Sequence, residues 1–203
     1  MYLVFEGIDG SGKTTLAHLV ADRLEEMGIT PILLLEPSHG RYGREVRARM
    51  ASSAPPAELH RLFTRDRKDH VATKIAPLLD FMRSNPGFAI VQDRGYLSAP
   101  AYQVTDDQRV PEMLEEQRAI APRPARFFLI DLPVDTAMDR LAARQGPSSI
   151  FERRAFLESV RRRYKMLADD TSEPVTTLDG TLEPCALADN VLSSLQSEFP
   201  AVG

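Results

Sequence analysis

The sequence predicts a three-layer α/β fold in which helices cover both faces of a five-stranded parallel sheet. Five short apolar runs support this prediction, at 2–5, 29–35, 88–91, 126–132 and 175–178. Because these runs lack polar alternation, they are typical of parallel strands buried on both faces. Segments with apolar residues at helical spacing, such as 13–27 and about 56–84, separate the runs. Helical crossovers between parallel strands are right-handed and therefore cover the sheet.

Length and composition favour a single domain over residues 1–203. The chain has 203 residues, of which 43% are hydrophobic and 27% charged, as in an ordinary globular protein. No internal repeat or low-complexity linker interrupts the sequence, and its prolines stand near the ends of predicted elements.

Charge and cysteine content narrow the expected partners and compartment. A net charge of −4 argues against a nucleic-acid or anionic-membrane ligand. Local arginine groups, such as Arg41, Arg44, Arg47 and Arg49, indicate either sites for small phosphorylated ligands or solvated helix faces. The single cysteine, Cys185, excludes an internal disulfide and a multi-cysteine zinc site. Since neither a transmembrane run nor a secretory signal is evident, we expect a cytoplasmic protein.

Residues 7–14 match the phosphate-binding pattern G-x-x-x-x-G-K-[ST] in full. The pattern follows a predicted strand and opens a predicted helix, which is the context of a P-loop NTPase fold. Its glycines let backbone N–H groups converge on phosphate oxygens, while Lys13 adds positive charge and Thr14 a hydroxyl for Mg²⁺. The predicted nucleotide-binding residues here are Gly7, Ile8, Asp9, Gly10, Ser11, Gly12, Lys13, Thr14 and Thr15. Switch GTPases, ATPases and small-molecule kinases share this loop, so it does not identify an acceptor.

Polar residues follow two of the predicted strands, and ligands bind at the carboxyl ends of parallel strands. Glu36-Pro37 follows the second strand, where the carboxylate either positions an acceptor or is only a polar strand terminus. Asp93-Arg94 follows the third strand. There Asp93 suits Mg²⁺ or its water shell and Arg94 a transferring phosphoryl group, although the two could also form a simple ion pair.

Phe63 and Arg67 lie four residues apart on the predicted 56–84 helix and therefore share one face. Such a pair can stack on a nucleobase and hydrogen-bond to its edge. Spacing alone favours the alternative in which Phe63 is core and Arg67 is solvated, because helical aromatics are usually core.

Taken in order along nearly the whole chain, these segments resemble the thymidylate kinase family. The segment 5–15 resembles that family's phosphate loop, including the flanking Phe-Glu and the internal Asp, and Leu62-Phe63 with Arg67 and His70 resembles its nucleobase-binding helix. The segment 93–103 is similar to its D-R-x-x-x-S-x-x-A-Y-Q pattern, and 131–133 resembles the strand end before its lid-bearing helix. The family's helix after the lid is matched by Phe151-Glu152 together with Phe156, Val160 and Tyr164. The segment 179–181 resembles its loop near the adenine.

The resemblance implies ATP, Mg²⁺, dTMP as the acceptor and a homodimer. It implies that Phe63 stacks on the base, that Arg67 reads its carbonyl edge and that Arg94 grips the acceptor phosphate. It also implies acceptor contacts from Asp9, Glu36, Pro37, Ser98 and Tyr102, where the Tyr102 ring would exclude a 2′-hydroxyl. Asp179 and Gly180 are expected near the adenine, and Thr14 and Asp93 at Mg²⁺.

Three departures from the family pattern bear on catalysis and specificity. Leu35 stands where an Arg often precedes Glu-Pro, Gly95 where an aromatic or His follows Asp-Arg, and Ile150 where the lid offers an Arg. Phosphoryl transfer needs cationic charge, so we expect Arg144, in a lid at about 144–152, to substitute, with Arg153 and Arg154 behind it. Arg140 lies one turn before Arg144, so both could face the nucleotide.

The same departures leave other functions open. The acceptor could be a modified pyrimidine, another deoxynucleotide or a nucleoside. Outside kinases, the chain could be a nucleotide-dependent switch or an inactive kinase-like protein. The sequence lacks an Asn/Thr-Lys-x-Asp guanine-reading segment, which disfavours a GTPase.

Overall fold

The structure, a computed structural model, describes residues 1–143, 154–170 and 172–195. Five parallel strands form one sheet in the order β2-β3-β1-β4-β5, which confirms the predicted sheet. The strands are β1 (Tyr2–Gly7), β2 (Thr30–Leu35), β3 (Phe88–Asp93), β4 (Arg126–Asp131) and β5 (Val175–Asp179).

Helices fill the connections between the strands, as the sequence predicts. They are α1 (Lys13–Glu26), α2 (Arg41–Ala51), α3 (Pro56–His70), α4 (Ala76–Arg83), α5 (Ser98–Tyr102), α6 (Val110–Arg118), α7 (Val134–Ala142), α8 (Arg154–Asp169) and α9 (Pro184–Leu195). The predicted 56–84 helix is α3 and α4 joined by a π-helical turn at Val71–Ile75, and Asp107–Arg109 forms a 3₁₀ turn. Within the described ranges, no helix is long and apolar enough to span a bilayer.

Two apolar layers enclose the sheet because successive residues of a strand point to opposite faces. From β1, Leu3 and Phe5 join the layer with α1 and α9, where Phe5 stacks on Phe128 at 5.4 Å between ring centroids. Val4 joins the opposite layer, which includes residues of α5, α6 and α8. The central strands are therefore buried on both faces, as their apolar runs predict.

The same expectation is wrong for the two edge strands, β2 and β5, and in β5 only Leu178 is buried. The clearer case is β2. This strand lies at the edge of the sheet, and its residues are half-buried or exposed, with Leu33 43% accessible. An edge strand has a neighbour on one side only, so apolarity alone did not reveal the exposure of β2.

The strand order places the candidate site between β1 and β3. From β1 the chain crosses to β2 on one side, and from β3 it crosses to β4 on the other. A crevice forms where neighbouring strands send their connections in opposite directions. The loop after β1 and the Asp93-Arg94 turn after β3 flank this crevice.

Candidate active site

The loop 7–12 connects β1 to α1 and forms a close-packed anion cradle. Gly10 has a left-handed φ of 83°, and a Cβ there would lie 2.4 Å from the carbonyl oxygen of Ala137. Only glycine fits this conformation and this gap. Lys13 folds back over the loop, and its Nζ donates to the carbonyl oxygen of Ile8 at 2.8 Å. A tight loop of this kind at the start of a helix can bind an anion, and Lys13 adds one ammonium group to it.

Lys13 is 6% exposed and lines a small cavity together with Asp9, Thr14, Asp93 and Arg94. Burial lowers its pKa to about 8, and the nearby Arg94 guanidinium adds to the decrease. Phosphate oxygens beside Lys13 would favour the charged form, so the site is suited to a polyanionic ligand.

Thr14 and Asp93 meet at the mouth of the loop in an arrangement that fits Mg²⁺. The Thr14 hydroxyl donates to Asp93 Oδ2 at 2.5 Å, and Asp93 Oδ1 is buried without a hydrogen-bond partner among the residues that the structure describes. Across the described ranges, no group of three or more His, Cys, Asp or Glu side chains could hold a metal. Mg²⁺ in phosphoryl-transfer sites binds one or two protein oxygens and otherwise phosphate and water, so this small donor set suits it.

Arg94 lies between the loop and the β3 side of the crevice. Its guanidinium forms an ion pair with Asp9, donates to Ser98 Oγ and the Tyr102 hydroxyl at 3.2 Å each, and stands 4.8 Å from the centroid of the Tyr102 ring. The ion-pair partner of Arg94 is therefore Asp9, and the simple pair of neighbours considered from the sequence, Asp93 with Arg94, is not formed.

A second cavity, which we call the acceptor pocket, opens beside Arg94. It gathers the eight residues that the resemblance assigned to an acceptor site, Asp9, Glu36, Pro37, Phe63, Arg67, Arg94, Ser98 and Tyr102. Met50 and Gln103 also line it and were missed as site residues. Gln103 stands in the segment similar to the family pattern, whereas Met50 carries no sequence signal because α2 folds over the pocket through tertiary contacts alone.

Arg67 and Phe63 correct the interpretation that their spacing favoured. Arg67 is 3% exposed rather than solvated, and Phe63 is half-buried at the wall of the acceptor pocket rather than in the core. Arg67 donates to Glu36 Oε2 through Nε at 2.9 Å and Nη2 at 2.6 Å, to the carbonyl of Gly95 at 3.0 Å, and through Nη1 to Gln117. A guanidinium has five N–H donors, so one N–H of Nη1 bonds to none of the described residues.

Glu36 is the counter-ion of this buried arginine. Burial alone would raise the pKa of the Glu36 carboxyl, but the Arg67 charge, the nearby His70 ring and the hydrogen bonds from Arg67 outweigh it and hold the pKa below its usual value. Glu36 is therefore more than a polar strand terminus, because it fixes the Arg67 side chain at the wall of the pocket.

Packing accounts for the departure at Gly95. A Cβ at this position would lie 2.8 Å from Val4 Cγ1, so the backbone passes too close to β1 for a side chain. The adjacent Tyr96 does not replace the missing aromatic residue. Its ring packs edge-on against Phe127 in the core, and its hydroxyl donates to Glu173 at 2.8 Å.

The opposite side of the phosphate loop carries Arg140. Its guanidinium donates to the carbonyl of Ser11 at 3.4 Å and to that of Gly180 at 3.1 Å. The predicted Asp179 side chain instead accepts from the backbone N–H and hydroxyl of Thr181, which stabilises this loop locally.

A cavity of about 240 Å³ extends from the phosphate loop past Arg140. Its apolar wall includes Leu182, Pro184 and Leu187, which the sequence did not indicate as site residues. They follow the Asp179-Gly180 loop directly, so a search beyond that motif would have found them.

The arginine groups have mixed roles. Arg44 donates to the carbonyl of His39 at 2.8 Å, and Arg47 donates to the carbonyls of Pro37 and Ser38 at 2.8 Å each. These two arginines therefore stabilise the loop after β2. Arg154 pairs with Asp135, while Arg144, Ile150, Arg153 and the predicted lid at 144–152 lie outside the described residues.

Glu6 is the polar residue of the site that sequence reasoning most clearly overlooked. It is fully buried near the end of β1, and it accepts hydrogen bonds from the backbone of Gly95 and from Ser98. A carboxylate within an apolar strand was the available signal, because a buried charge requires partners.

The fold and the site define a P-loop nucleoside monophosphate kinase, in which an anion cradle faces a second pocket that contains an aromatic ring and arginines. A family model described as thymidylate kinase matches residues 5–191. The chain belongs to the thymidylate kinase family.

Similar proteins cover most of the chain. It is 36% identical over 203 residues to the probable thymidylate kinase of Halobacterium salinarum, covering 98% of each chain. It is 35% identical over 175 residues to the probable thymidylate kinase of Archaeoglobus fulgidus, covering 85% of this chain and 84% of the relative. It is 38% identical over 168 residues to the thymidylate kinase of Xanthomonas euvesicatoria pv. vesicatoria, covering 82% and 72%.

The Glu36–Arg67 pair leads to a prediction on stability and pH. Glu36→Gln should lower the free energy of unfolding at pH 7 by about 3 kcal/mol, because it leaves a buried guanidinium without a counter-charge. Since folding lowers the Glu36 pKa, the stabilisation is fully present above pH 4.5 and is lost as the pH falls through the folded-state pKa. Urea unfolding of wild type and variant at pH 7 and below pH 4.5 should show a difference that shrinks in acid.

Glu26→Gln is the matched control, because the Glu26 side chain is 69% exposed. It should change stability little at either pH. If Glu36→Gln were as stable as this control at pH 7, the ion pair would not stabilise the fold.

Proposed function

We propose that this protein transfers the γ-phosphoryl group of ATP to dTMP and forms dTDP. One observation carries the proposal: Asp9 and Arg94 line both the acceptor pocket and the cavity of the phosphate loop. A nucleoside monophosphate in the first cavity would therefore direct its phosphate at the end of a triphosphate in the second. The names of the similar proteins, all thymidylate kinases, agree with this acceptor.

Phosphoryl transfer requires alignment and neutralisation of charge rather than a covalent intermediate. We assign the triphosphate to residues 7–15, with Lys13 at the β- and γ-phosphates and Arg140 beside the cradle. Thr14 and Asp93 would hold Mg²⁺, which neutralises phosphate charge when bound. Arg94 would bind the acceptor phosphate, and Asp9 would orient the Arg94 guanidinium. Arg144, in a lid at 144–152, remains our candidate for the second mobile cation.

Side chains around the acceptor pocket suit a pyrimidine deoxynucleotide. Phe63 offers a ring face for stacking, and the remaining N–H of Arg67 could donate to a carbonyl of the base. Tyr102 would stand beside the sugar, where its ring leaves no room for a 2′-hydroxyl. Glu36 would act through Arg67, and Ser98 through Arg94.

The family resemblance also supports a homodimer of single-domain chains over 1–203. We propose a cytoplasmic location, which fits the single cysteine.

The acceptor can be tested with a coupled assay of ADP release. ATP and Mg²⁺ are supplied with dTMP, dUMP, dCMP, dGMP or thymidine. We expect the highest kcat/KM for dTMP. A higher value for another acceptor would reassign the substrate, and acceptor-independent hydrolysis would favour a nucleotide switch.

Lys13→Ala should reduce kcat/KM for ATP on the order of 10²-fold or more, because it removes a charge contact to the reacting phosphates. Steady-state kinetics at saturating dTMP measures this loss. Lys68→Ala, at an exposed position of α3, is the control and should retain full activity. Near-normal turnover of Lys13→Ala would remove this residue from the mechanism.

Phe63→Ala should weaken acceptor binding more than ATP binding, since only the acceptor base would stack on this ring. We expect the Kd for dTMP to rise about tenfold, which corresponds to the loss of one base–aromatic stack, and the Kd for ATP to stay the same. Isothermal titration calorimetry gives both constants. Phe81→Ala, at a 46% exposed position of α4, should change neither. Equal weakening of both ligands by Phe63→Ala would make Phe63 a packing residue.

A further inference from the structure

The backbone of Arg94 adopts a conformation that needs support from its surroundings. Its φ is 65°, in the left-handed region that non-glycine residues rarely occupy. Such strain persists where neighbouring contacts determine the geometry. Here the Arg94 N–H donates to the carbonyl of Phe5 at 2.9 Å, and Gln92 Nε2 donates to the carbonyl of Arg94 at 2.8 Å.

Glu6 holds the chain on the other side of this turn. Its Oε1 accepts from the backbone N–H of Gly95 at 2.8 Å and from that of Ser98 at 3.1 Å. Its Oε2 accepts from the Ser98 hydroxyl at 2.7 Å and from the Tyr164 hydroxyl at 2.8 Å. One carboxylate with no exposed surface thus receives four hydrogen bonds from β3–α5 and α8.

Glu6 is also linked to the guanidinium of Arg94 through the Ser98 hydroxyl. The Ser98 hydroxyl has one hydrogen, which it donates to Glu6, so its oxygen is oriented to accept from Arg94 Nη1 at 3.2 Å. Glu6 also adds a negative charge near Arg94, whose ion-pair partner is Asp9. Burial raises the pKa of Glu6, and the hydrogen bond from Ser98 and the Arg94 charge oppose this rise.

We propose that Glu6 is a positioning residue that fixes both the backbone and the guanidinium of Arg94 for the acceptor phosphate, with Tyr164 as its support from α8. This inference rests on the proposed function, in which Arg94 binds that phosphate. Glu6 itself lies behind the turn and touches neither nucleotide. Its effect should therefore fall on the acceptor and on turnover rather than on ATP.

The first test is Glu6→Gln. Glutamine has the same shape and keeps one oxygen for the two backbone N–H groups, but it places an NH₂ donor opposite two hydroxyls and removes the charge. We expect KM for dTMP to rise about tenfold, as for the loss of one charge-assisted hydrogen bond, and kcat to fall. The Kd for ATP should stay within about twofold of wild type, because the groups that donate to the Glu6 carboxylate belong to Gly95, Ser98 and Tyr164 rather than to the phosphate loop. An equal loss for both nucleotides would overturn the proposal.

Two tyrosine-to-phenylalanine substitutions provide a milder variant, Tyr164→Phe, and its matched control, Tyr96→Phe. Tyr164→Phe removes a hydroxyl bonded to buried Glu6, and Tyr96→Phe removes one bonded to buried Glu173, each at 2.8 Å. Both should lower stability to a similar extent, but only Tyr164→Phe should raise KM for dTMP. The same KM in the two variants would assign Glu6 and Tyr164 a purely structural role. This comparison also remains available if Glu6→Gln fails to fold.

A double-mutant cycle tests whether Glu6 acts through Arg94. In an Arg94→Gln background, Glu6→Gln should cause little further change in the Kd for dTMP, because the group that it positions is gone. Fully additive effects would contradict the proposal. If wild type preferred another monophosphate, the dTMP assignment would fail, and the cycle would be measured with that acceptor, whose phosphate meets the same arginine.

Discussion

The arrangement of the site depends on pairing buried or half-buried carboxylates with arginines at the carboxyl ends of three strands. Asp9 pairs with Arg94 and Glu36 with Arg67, while Glu6 supports the turn that carries Arg94. An unpaired charge in such a place costs several kcal/mol, so each arginine lies where its partner holds it. Pairing with a carboxylate restricts each arginine side chain to one conformation before any nucleotide binds. Less side-chain entropy is therefore lost on binding.

Local patterns in the sequence were sufficient to predict the parallel sheet and the phosphate loop. The five apolar runs predict the sheet, because β1, β3 and β4 bury both faces. The loop at 7–14 is contiguous, and its glycines, lysine and threonine have fixed mutual spacing, so one motif indicates its position and chemistry together. The collinear resemblance also brought eight distant residues to one pocket, which periodicity could not have done.

What the sequence did not reveal depends on contacts between distant segments. Spacing favoured a solvated Arg67, yet Arg67 is buried and donates to Glu36, just after β2, and to Gln117 of α6, neither of which lies near it in sequence. Leu33 looked like a core residue until the strand order put β2 at the edge. Glu6 was noticed as part of a motif, but its four donors come from segments about 90 and 158 residues away.

The backbone of Gly95 connects the phosphate side of the acceptor pocket to its base side. Its N–H bonds to Glu6 on the phosphate side, and its carbonyl accepts from Arg67 on the base side. The phosphate side and the base side of the pocket are thus attached to the same residue, which fixes the distance between them. The pocket therefore selects ligands by the distance between the ring and the anionic group. A molecule in which this distance is different can contact only one side of the pocket at a time.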